Sequence, residues 1–346
     1  MSQLQSPPIA TRKLGRTEFA VSEVGFGTAP LGELFEKVSE TAAQATLEAA
    51  WASGIRYFDT SPFYGYGLSE HRVGHFLRQR QDEGFALSTK VGRVFKAARD
   101  PENFDSGLWA GGLPFDFTFD YSYDGIMRSW EDSLQRLGLA AVDVLLIHDL
   151  DHWFHITDER VSASLSQLYT SGWRALEELR SGGCIKGIGA GINQAPMICR
   201  FLDLVDLDFF LVAVPYTLLD QGVLDDEFPR CVERDVGIVI GAPFASGILA
   251  TGPVEGAYYA YAPATPEILE KTRRIQAVCE RHDTALAAAA MHFPLAHPSV
   301  AAIIPGALKP EQVSANVESY RRPIPADLWA ELKKEGLLRE DAPTPS

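Results

Sequence analysis

An acid and a phenol stand close together in a short turn between two regular elements. The run Ile55–Asp59 is typical of a buried strand and ends in a carboxylate, and Tyr64 follows five residues later in a turn rich in proline and glycine. Two further strand-like runs, FALSTK and VDVLLIH, end at Lys90 and His148. A carboxylate, a phenol, an ammonium and an imidazole thus follow three consecutive strands of the chain.

These four groups form a set that can move a proton. A phenol has a pKa of about 10 and is a weak base at neutral pH, but a neighbouring ammonium stabilises the phenolate and lowers that pKa. We therefore expect Lys90, held in its charged form by Asp59, to make Tyr64 the acid/base. His148 then orients the substrate oxygen. No side chain of the set accepts a hydride, so an oxidation or reduction here requires a nicotinamide cofactor.

Each of the four residues also has a purely structural interpretation. A lone aspartate at a strand end is more often a helix cap or a turn residue. A lone lysine there is usually a solvated strand end, and a phenol can simply pack under a loop. The functional interpretation depends on the four groups being complementary and adjacent in space.

Eight short apolar runs, separated by helical patterns, carry these residues. Several are hydrophobic throughout, as strands covered on both faces are. Strict alternation of strands and helices predicts a parallel sheet, and eight units predict one (β/α)8 TIM barrel over residues 1–346, with loose termini at 1–10 and 340–346. An open doubly wound sheet would show G-x-G-x-x-G after the first strand, and GFGTAPLG does not match. The eight runs are Ser22–Gly27, Ile55–Asp59, Phe85–Lys90, Val142–His148, Ile185–Gly191, Asp208–Pro215, Val236–Pro243 and Val300–Gly306.

A hairpin and three long connections complete the predicted barrel. The N-terminal segment predicts a β-hairpin that turns at Gly15–Arg16 or Arg16–Thr17. The segments Arg93–Tyr123, Asp149–Thr170 and Phe244–Thr265 each follow a strand and are too long for simple turns. We expect all three on the C-terminal face of the barrel, where active sites are built.

Composition limits the partners and the compartment. The formal net charge of −15 argues against nucleic acid or an anionic membrane as a partner. The four cysteines form no C-x-x-C pair, which predicts free thiols in a reducing compartment. The first residues contain no apolar signal-peptide region, and His and Pro interrupt the most apolar late stretch. We therefore expect a cytoplasmic protein that acts on small molecules; the sequence does not indicate an oligomeric state.

The motifs FDTSPFYGYGLSE, STKVG and LLIHDLD resemble those of the aldo-keto reductases. The resemblance runs from RKLGRTEFAVSEVGFGTAPLG to IIPGALKPEQVSANV and covers nearly the whole chain. It implies a (β/α)8 barrel, a nicotinamide cofactor bound in extended form, and a catalytic tetrad of Asp59, Tyr64, Lys90 and His148.

The resemblance also implies the cofactor-binding positions. Asn193 corresponds to the residue that binds the nicotinamide carboxamide, and Tyr216 to the aromatic residue that stacks on the nicotinamide. Many relatives that use NADP carry Arg or Ser where Leu308 stands, so we expect NAD, with Lys309 nearby and use of both NAD and NADP left open. The implied cofactor-binding residues are Gly27, Thr28, Asp59, Asn193, Tyr216, Phe244, Ala245, Ser246, Gly247, Gly306, Lys309, Gln312 and Asn316.

Three segments, IHDLD, GIGAGIN and VPYTLLDQ, resemble a branch of the family that oxidises free sugars or pyridoxal. The expected reaction is oxidation of the anomeric carbon of a free aldose, of the L-fucose or D-threo-aldose type, to the lactone. Oxidation of pyridoxal or L-galactose, carbonyl reduction with NADPH, and a non-catalytic cofactor-sensing subunit are the alternatives.

The expected substrate contacts lie at the tetrad and in two of the long connections. They are Tyr64, His148, Trp109, Asp149 and Trp153. The histidines at 152 and 155 stand near two aspartates, but hydride transfer needs no metal and we expect none.

Overall fold

The structure is a computed structural model that describes residues 9–345. Its centre is a sheet of eight parallel strands that neighbour one another in chain order. The amide of Gly25 donates to the carbonyl of Ile303 at 2.9 Å, and the amide of Ile303 donates to the carbonyl of Glu23 at 2.8 Å, so the last strand also pairs with the first. The predicted (β/α)8 barrel is confirmed. The strands are Phe26–Gly27, Tyr57–Asp59, Ala86–Val91, Val144–His148, Gly187–Ile192, Phe209–Ala213, Gly237–Gly241 and Val300–Ile304.

Each predicted run overlaps one barrel strand, and helices separate the strands. Ser39 caps the first helix by accepting a hydrogen bond from the Ala42 amide. The α-helices are Glu40–Ala52, Leu68–Leu77, Tyr123–Leu137, His152–His155, Asp158–Gln167, Trp173–Ser181, Pro196–Leu204, Glu227–Glu233, Ile248–Thr251, Pro266–Arg281, Leu286–Leu295, Pro310–Arg321 and Ala326–Lys334. Short 3-10 or π segments are Ala29–Gly32, Gln81–Glu83, Leu168–Gly172, Gly222–Leu224 and Ala245–Gly247.

The predicted N-terminal hairpin is confirmed and closes the lower end of the barrel. Strands Thr11–Lys13 and Ala20–Ser22 pair antiparallel. Leu14 and Val21 pack into the barrel interior, in one cluster with residues that begin the fourth and sixth strands. Gly15 has φ 56°, and a Cβ there would lie 2.2 Å from the Asp208 carbonyl oxygen, so only glycine fits. The hairpin therefore leaves the opposite end of the barrel, at the C-terminal strand ends, for a site.

The three long connections carry elements of their own. Arg93–Ala97 and Phe115–Phe119 form an antiparallel hairpin. The second connection contains the helices His152–His155 and Asp158–Gln167, although its sequence shows no clear helical pattern. The third contains a helix and two short strands that pair antiparallel. Side chains from all three line cavities at the C-terminal face, as expected.

We expected loose termini at residues 1–10 and 340–346, and residues 1–8 and 346 lie outside the described part of the chain. Within that part, Ile9 and Ala342 are buried in the hydrophobic core, so the chain is packed at these two positions. Among residues 9–345, no helix has both the length and the apolar character of a membrane span. The cytoplasmic location stays a prediction.

The helices Leu68–Leu77 and Tyr123–Leu137 make a close contact at Gly74. A Cβ at Gly74 would lie 2.1 Å from the Leu137 carbonyl oxygen. Alanine is the better helix former by about 1 kcal/mol, so any loss in Gly74→Ala must come from this clash. We expect its free energy of unfolding in urea to fall by about 1–3 kcal/mol. His75→Ala, one residue along on the exposed face, is the control and should change stability by less than about 0.5 kcal/mol. Equal stability of Gly74→Ala and wild type would contradict this packing.

Candidate active site

A buried ion pair lies at the mouth of the barrel. Lys90 Nζ donates to Asp59 Oδ2 at 2.7 Å and to the Thr60 carbonyl at 2.8 Å. Each of the two charged residues is only 1% exposed. The Ser88 hydroxyl donates to the other carboxylate oxygen of Asp59 at 2.6 Å. A buried pair is stable only when further hydrogen bonds satisfy its remaining atoms, and Ser88 and Thr60 supply them.

The sheet dictates this pairing. Asp59 ends the second strand and lies in register with Ser88 of the third. Lys90 is two residues beyond Ser88, and side chains two apart on a strand point to the same face. Ser88 and Lys90 therefore both point into the barrel, where the Asp59 carboxylate lies between them.

Tyr64 lies beside the ion pair. The Lys90 nitrogen is 4.5 Å from the centroid of the Tyr64 ring, and the Tyr64 and His148 rings are 5.9 Å apart. The structure thus brings the four predicted residues together. Burial, and then the negative charges of Asp59 and Asp149, nevertheless raise the pKa of Tyr64 well above its ordinary value. The prediction that Lys90 lowers this pKa is wrong, because Asp59 neutralises the ammonium and burial dominates.

His148 ends the fourth strand and is held by side chains from two other segments. The Arg93 guanidinium and the Ser61 hydroxyl lie 2.8 Å and 3.1 Å from His148 Nδ1. Arg93 also donates to Asp149 Oδ2 at 2.9 Å. Burial, and then the positive charges of Arg93 and Lys90, lower the pKa of His148 well below its ordinary value. His148 is therefore a neutral imidazole at physiological pH.

The first cavity opens above these residues and spans about 790 Å³, its open mouth included. Tyr64, Lys90 and His148 lie at its floor, and the predicted substrate residues Trp109 and Trp153 line it. Asp149, also predicted, lines it as well, and its carboxylate accepts hydrogen bonds from Arg93 and Asn193. The aromatic residues of the wall are Phe63, Trp109, Trp153, Phe154 and Tyr261. The cavity thus suits a small ligand with apolar faces and a reactive oxygen near Tyr64.

The second cavity spans about 1100 Å³, its open mouth included, and extends from Tyr64 to the end of the eighth strand. Tyr64 lines both cavities, so they meet at the phenol. Gly247 has φ 106°, and a Cβ there would meet nothing within 4 Å, so an extended ligand can approach the main chain. This lining fits a dinucleotide. The predicted cofactor residues that line it are Gly27, Asp59, Phe244, Ser246, Gly247, Gly306 and Gln312.

The other predicted cofactor residues lie elsewhere. Thr28 and Ala245 are buried behind the lining, and Lys309 and Asn316 do not belong to it. Asn193 lines the first cavity, where its Nδ2 donates to Asp149 Oδ1 at 2.9 Å.

Tyr216 does not lie where the sequence predicts it. Its ring is buried against Phe228 and Phe293, with ring centroids 5.0 Å apart in both contacts, and it lines neither cavity. The sixth strand ends at Ala213, and Val214 turns the chain with φ 82°. This turn directs Tyr216 into the core, so no aromatic ring from this segment faces a nicotinamide.

Sequence reasoning missed three residues that hold the tetrad: Ser61, Ser88 and Arg93. Ser88 carries a readable signal, because it stands two residues before Lys90 on the same face of the strand. Arg93 follows Lys90 by three residues, and its position in the sequence indicates only that it begins a long connection. Its contact with His148 depends on how that connection folds back.

Comparisons with known proteins show the family of this chain. The Aldo/keto reductase family model matches residues 23–335. The pyridoxal 4-dehydrogenase of Microbacterium luteolum is 44% identical, over 94% of this chain and 97% of its own. The D-threo-aldose 1-dehydrogenase of a Pseudomonas species is 39% identical, over 94% and 96%. The holo form of an aldo-keto reductase from Bacillus halodurans superposes with a TM-score of 0.73 at 26% identity, over 94% and 96%.

The buried ion pair makes a prediction about stability. Lys90→Met leaves Asp59 buried without its cation, and we expect the free energy of unfolding in urea to fall by roughly 3–5 kcal/mol. The double variant Asp59→Asn/Lys90→Met removes both charges and should recover most of that loss. The control is Lys13→Met, which breaks an exposed pair with Glu18 and should cost no more than about 1 kcal/mol. A single variant as stable as the double one would contradict the pairing.

Proposed function

Because this chain belongs to the aldo/keto reductase family, we propose that it oxidises a cyclic hemiacetal to the lactone with a nicotinamide cofactor. The observation that carries the proposal is that Tyr64 lines both cavities. A substrate in the first cavity and a nicotinamide end in the second are then both adjacent to the one group that can exchange a proton.

The reaction needs one hydride acceptor and one proton acceptor. When bound, the nicotinamide supplies the hydride acceptor. The hemiacetal carbon would lose its hydrogen together with both electrons of the C–H bond, as a hydride. The hydroxyl proton passes to the phenolate oxygen of Tyr64 as the C=O bond forms. His148 holds the same substrate oxygen by a hydrogen bond. Lys90 and Asp59 fix the floor against which Tyr64 packs.

We propose pyridoxal as the first candidate substrate. Its aldehyde stands next to a hydroxymethyl group and closes with it to a cyclic hemiacetal, so it presents the same reacting carbon as a pyranose. The aromatic wall, including Trp109 and Phe154, suits stacking on a flat pyridine ring. The 44% identity to a pyridoxal 4-dehydrogenase supports the same choice.

A free aldose, the substrate expected from the sequence, is the second candidate. The carboxylate of Asp149 faces the first cavity and can accept hydrogen bonds from sugar hydroxyls. It is already bonded to Arg93 and Asn193, however, which leaves few polar groups for the several hydroxyls of a pyranose. The 39% identity to a D-threo-aldose 1-dehydrogenase supports this candidate.

We propose NAD as the preferred cofactor. Among the described residues that line the second cavity, none is Lys or Arg. A 2′-phosphate would therefore lack a cationic partner in the lining. Leu308 lines this cavity, as its sequence position implies.

The test is a substrate panel. Pyridoxal, L-fucose, D-arabinose and L-galactose are each mixed with NAD or NADP, and reduced nicotinamide is followed by its absorbance. We expect turnover with pyridoxal or an aldose, faster with NAD. Tyr64→Phe should lose about 10²- to 10⁴-fold in kcat while it keeps nucleotide affinity, measured by fluorescence quenching. Carbonyl reduction with NADPH and no oxidation of any of the four compounds would contradict the proposal.

The raised pKa of Tyr64 predicts the pH dependence. Oxidation needs the phenolate, whose fraction below the pKa rises about tenfold per pH unit. We therefore expect kcat for oxidation to rise steadily between about pH 6 and pH 10, whereas the reverse reduction, which needs the protonated phenol, should not rise. A flat oxidative profile over this range would show that Tyr64 is not the base.

A further inference from the structure

We propose that Arg93 is a positioning residue that fixes His148 as the tautomer with its proton on Nε2. The inference rests on the proposed function for its catalytic consequence, and on geometry alone for the tautomer. Arg93 follows the third strand and reaches across the barrel mouth to the fourth.

The groups that can donate a hydrogen bond to His148 Nδ1 determine the tautomer. Arg93 Nη1 lies 2.8 Å from His148 Nδ1. A guanidinium has no lone pair to offer and can only donate, so Nδ1 must accept. A neutral imidazole that accepts at Nδ1 carries its proton on Nε2. The Ser61 hydroxyl, 3.1 Å from the same nitrogen, can add a second donor.

Asp149 lies beside the second ring nitrogen of His148. Its Oδ2 is 3.3 Å from His148 Nε2 and 2.9 Å from Arg93 Nη2. Without Arg93, this carboxylate would keep its hydrogen bond from Asn193 but lose its cation, and its uncompensated charge beside the ring would favour a doubly protonated, charged His148. Arg93 therefore acts on both ring nitrogens: it donates to Nδ1, and it neutralises the anion near Nε2.

The surroundings hold Arg93 in one position. The residue is 2% exposed, and its guanidinium carbon lies 4.3 Å and 4.7 Å from the ring centroids of Phe63 and Phe154. Rings on the faces of a guanidinium stabilise its charge and exclude water from it. Both rings also line the first cavity. The side chain thus cannot turn from His148 without disturbing the cavity wall.

This tautomer makes His148 Nε2 a hydrogen-bond donor to the reacting oxygen of the substrate. His148 lines the first cavity, so an Nε2 proton is available to a substrate oxygen. The opposite tautomer would present a lone pair and repel that oxygen. Arg93 thereby selects the chemical form of His148, although Arg93 itself lines neither cavity.

The tautomer can be read directly by ¹⁵N NMR of protein labelled at histidine. His148→Gln identifies the His148 signals by their loss. In wild type we expect an unprotonated Nδ1 and a protonated Nε2 at physiological pH, because burial and the charges of Arg93 and Lys90 lower the pKa of His148. The charged or titratable groups facing the ring are Arg93, Lys90, Asp149 and Tyr64. A protonated Nδ1 in wild type would overturn the inference.

Arg93→Met tests the role of the guanidinium. We expect a protonated Nδ1 to appear on His148, and kcat to fall by about 10- to 100-fold, as for outer partners of functional histidines. Arg93→Lys, whose single ammonium cannot reach both partners equally, should give an intermediate loss. Nucleotide affinity should not change in either variant.

The matched control is Arg136→Met. Arg136 also packs over an aromatic ring, that of Phe95, and pairs with a buried carboxylate, but it does not contact His148. Its loss should leave the His148 spectrum as in wild type. A folded Arg93→Met protein with an unchanged spectrum and kcat would overturn the inference. If no compound of the panel is oxidised by wild type, the proposed function fails, yet the wild-type spectrum still decides the tautomer.

Discussion

The ion pair between Lys90 and Asp59 is the contact on which the site depends. Two full charges buried at the barrel mouth are tolerated only because adjacent strands hold them 2.7 Å apart and Ser88 and Thr60 complete their hydrogen bonds. The pair fixes the ends of two strands and forms the floor for Tyr64. Its charges cancel, however, so it supplies geometry rather than a lowered pKa.

The neighbouring group of Arg93, His148 and Asp149 repeats this arrangement. There, too, a buried cation and a carboxylate compensate each other, and an uncharged group between them gains a defined orientation. Tyr64 and His148 are thus the two neutral, cavity-facing groups between two compensated charge pairs. Neutral groups with fixed hydrogen-bonding roles are what proton transfer to a substrate oxygen requires.

The sequence predicts residues on strands far better than residues beyond them. Asp59, Lys90 and His148 end parallel strands, and the ends of parallel strands must meet at one face. Arg93 and Tyr216 lie past strand ends, where the path of the following connection determines the position of each side chain. Arg93 contacts His148 in the site, whereas Tyr216 is buried in the core. The helix Leu286–Leu295 has no amphipathic pattern that would predict it, because it is buried almost all round and shows no polar face. Tyr64's pKa depends on burial, which no local pattern reveals.

If a substrate in the first cavity and a cofactor in the second meet at Tyr64, as we propose, hydride passes directly between them. The most direct measurement uses a substrate of the panel that carries deuterium on its hemiacetal carbon, with mass spectrometry of the reduced nucleotide. We predict one deuterium in every reduced nucleotide formed, and almost none formed by Tyr64→Phe. Reduced nucleotide without deuterium would contradict direct transfer and with it this account of the site.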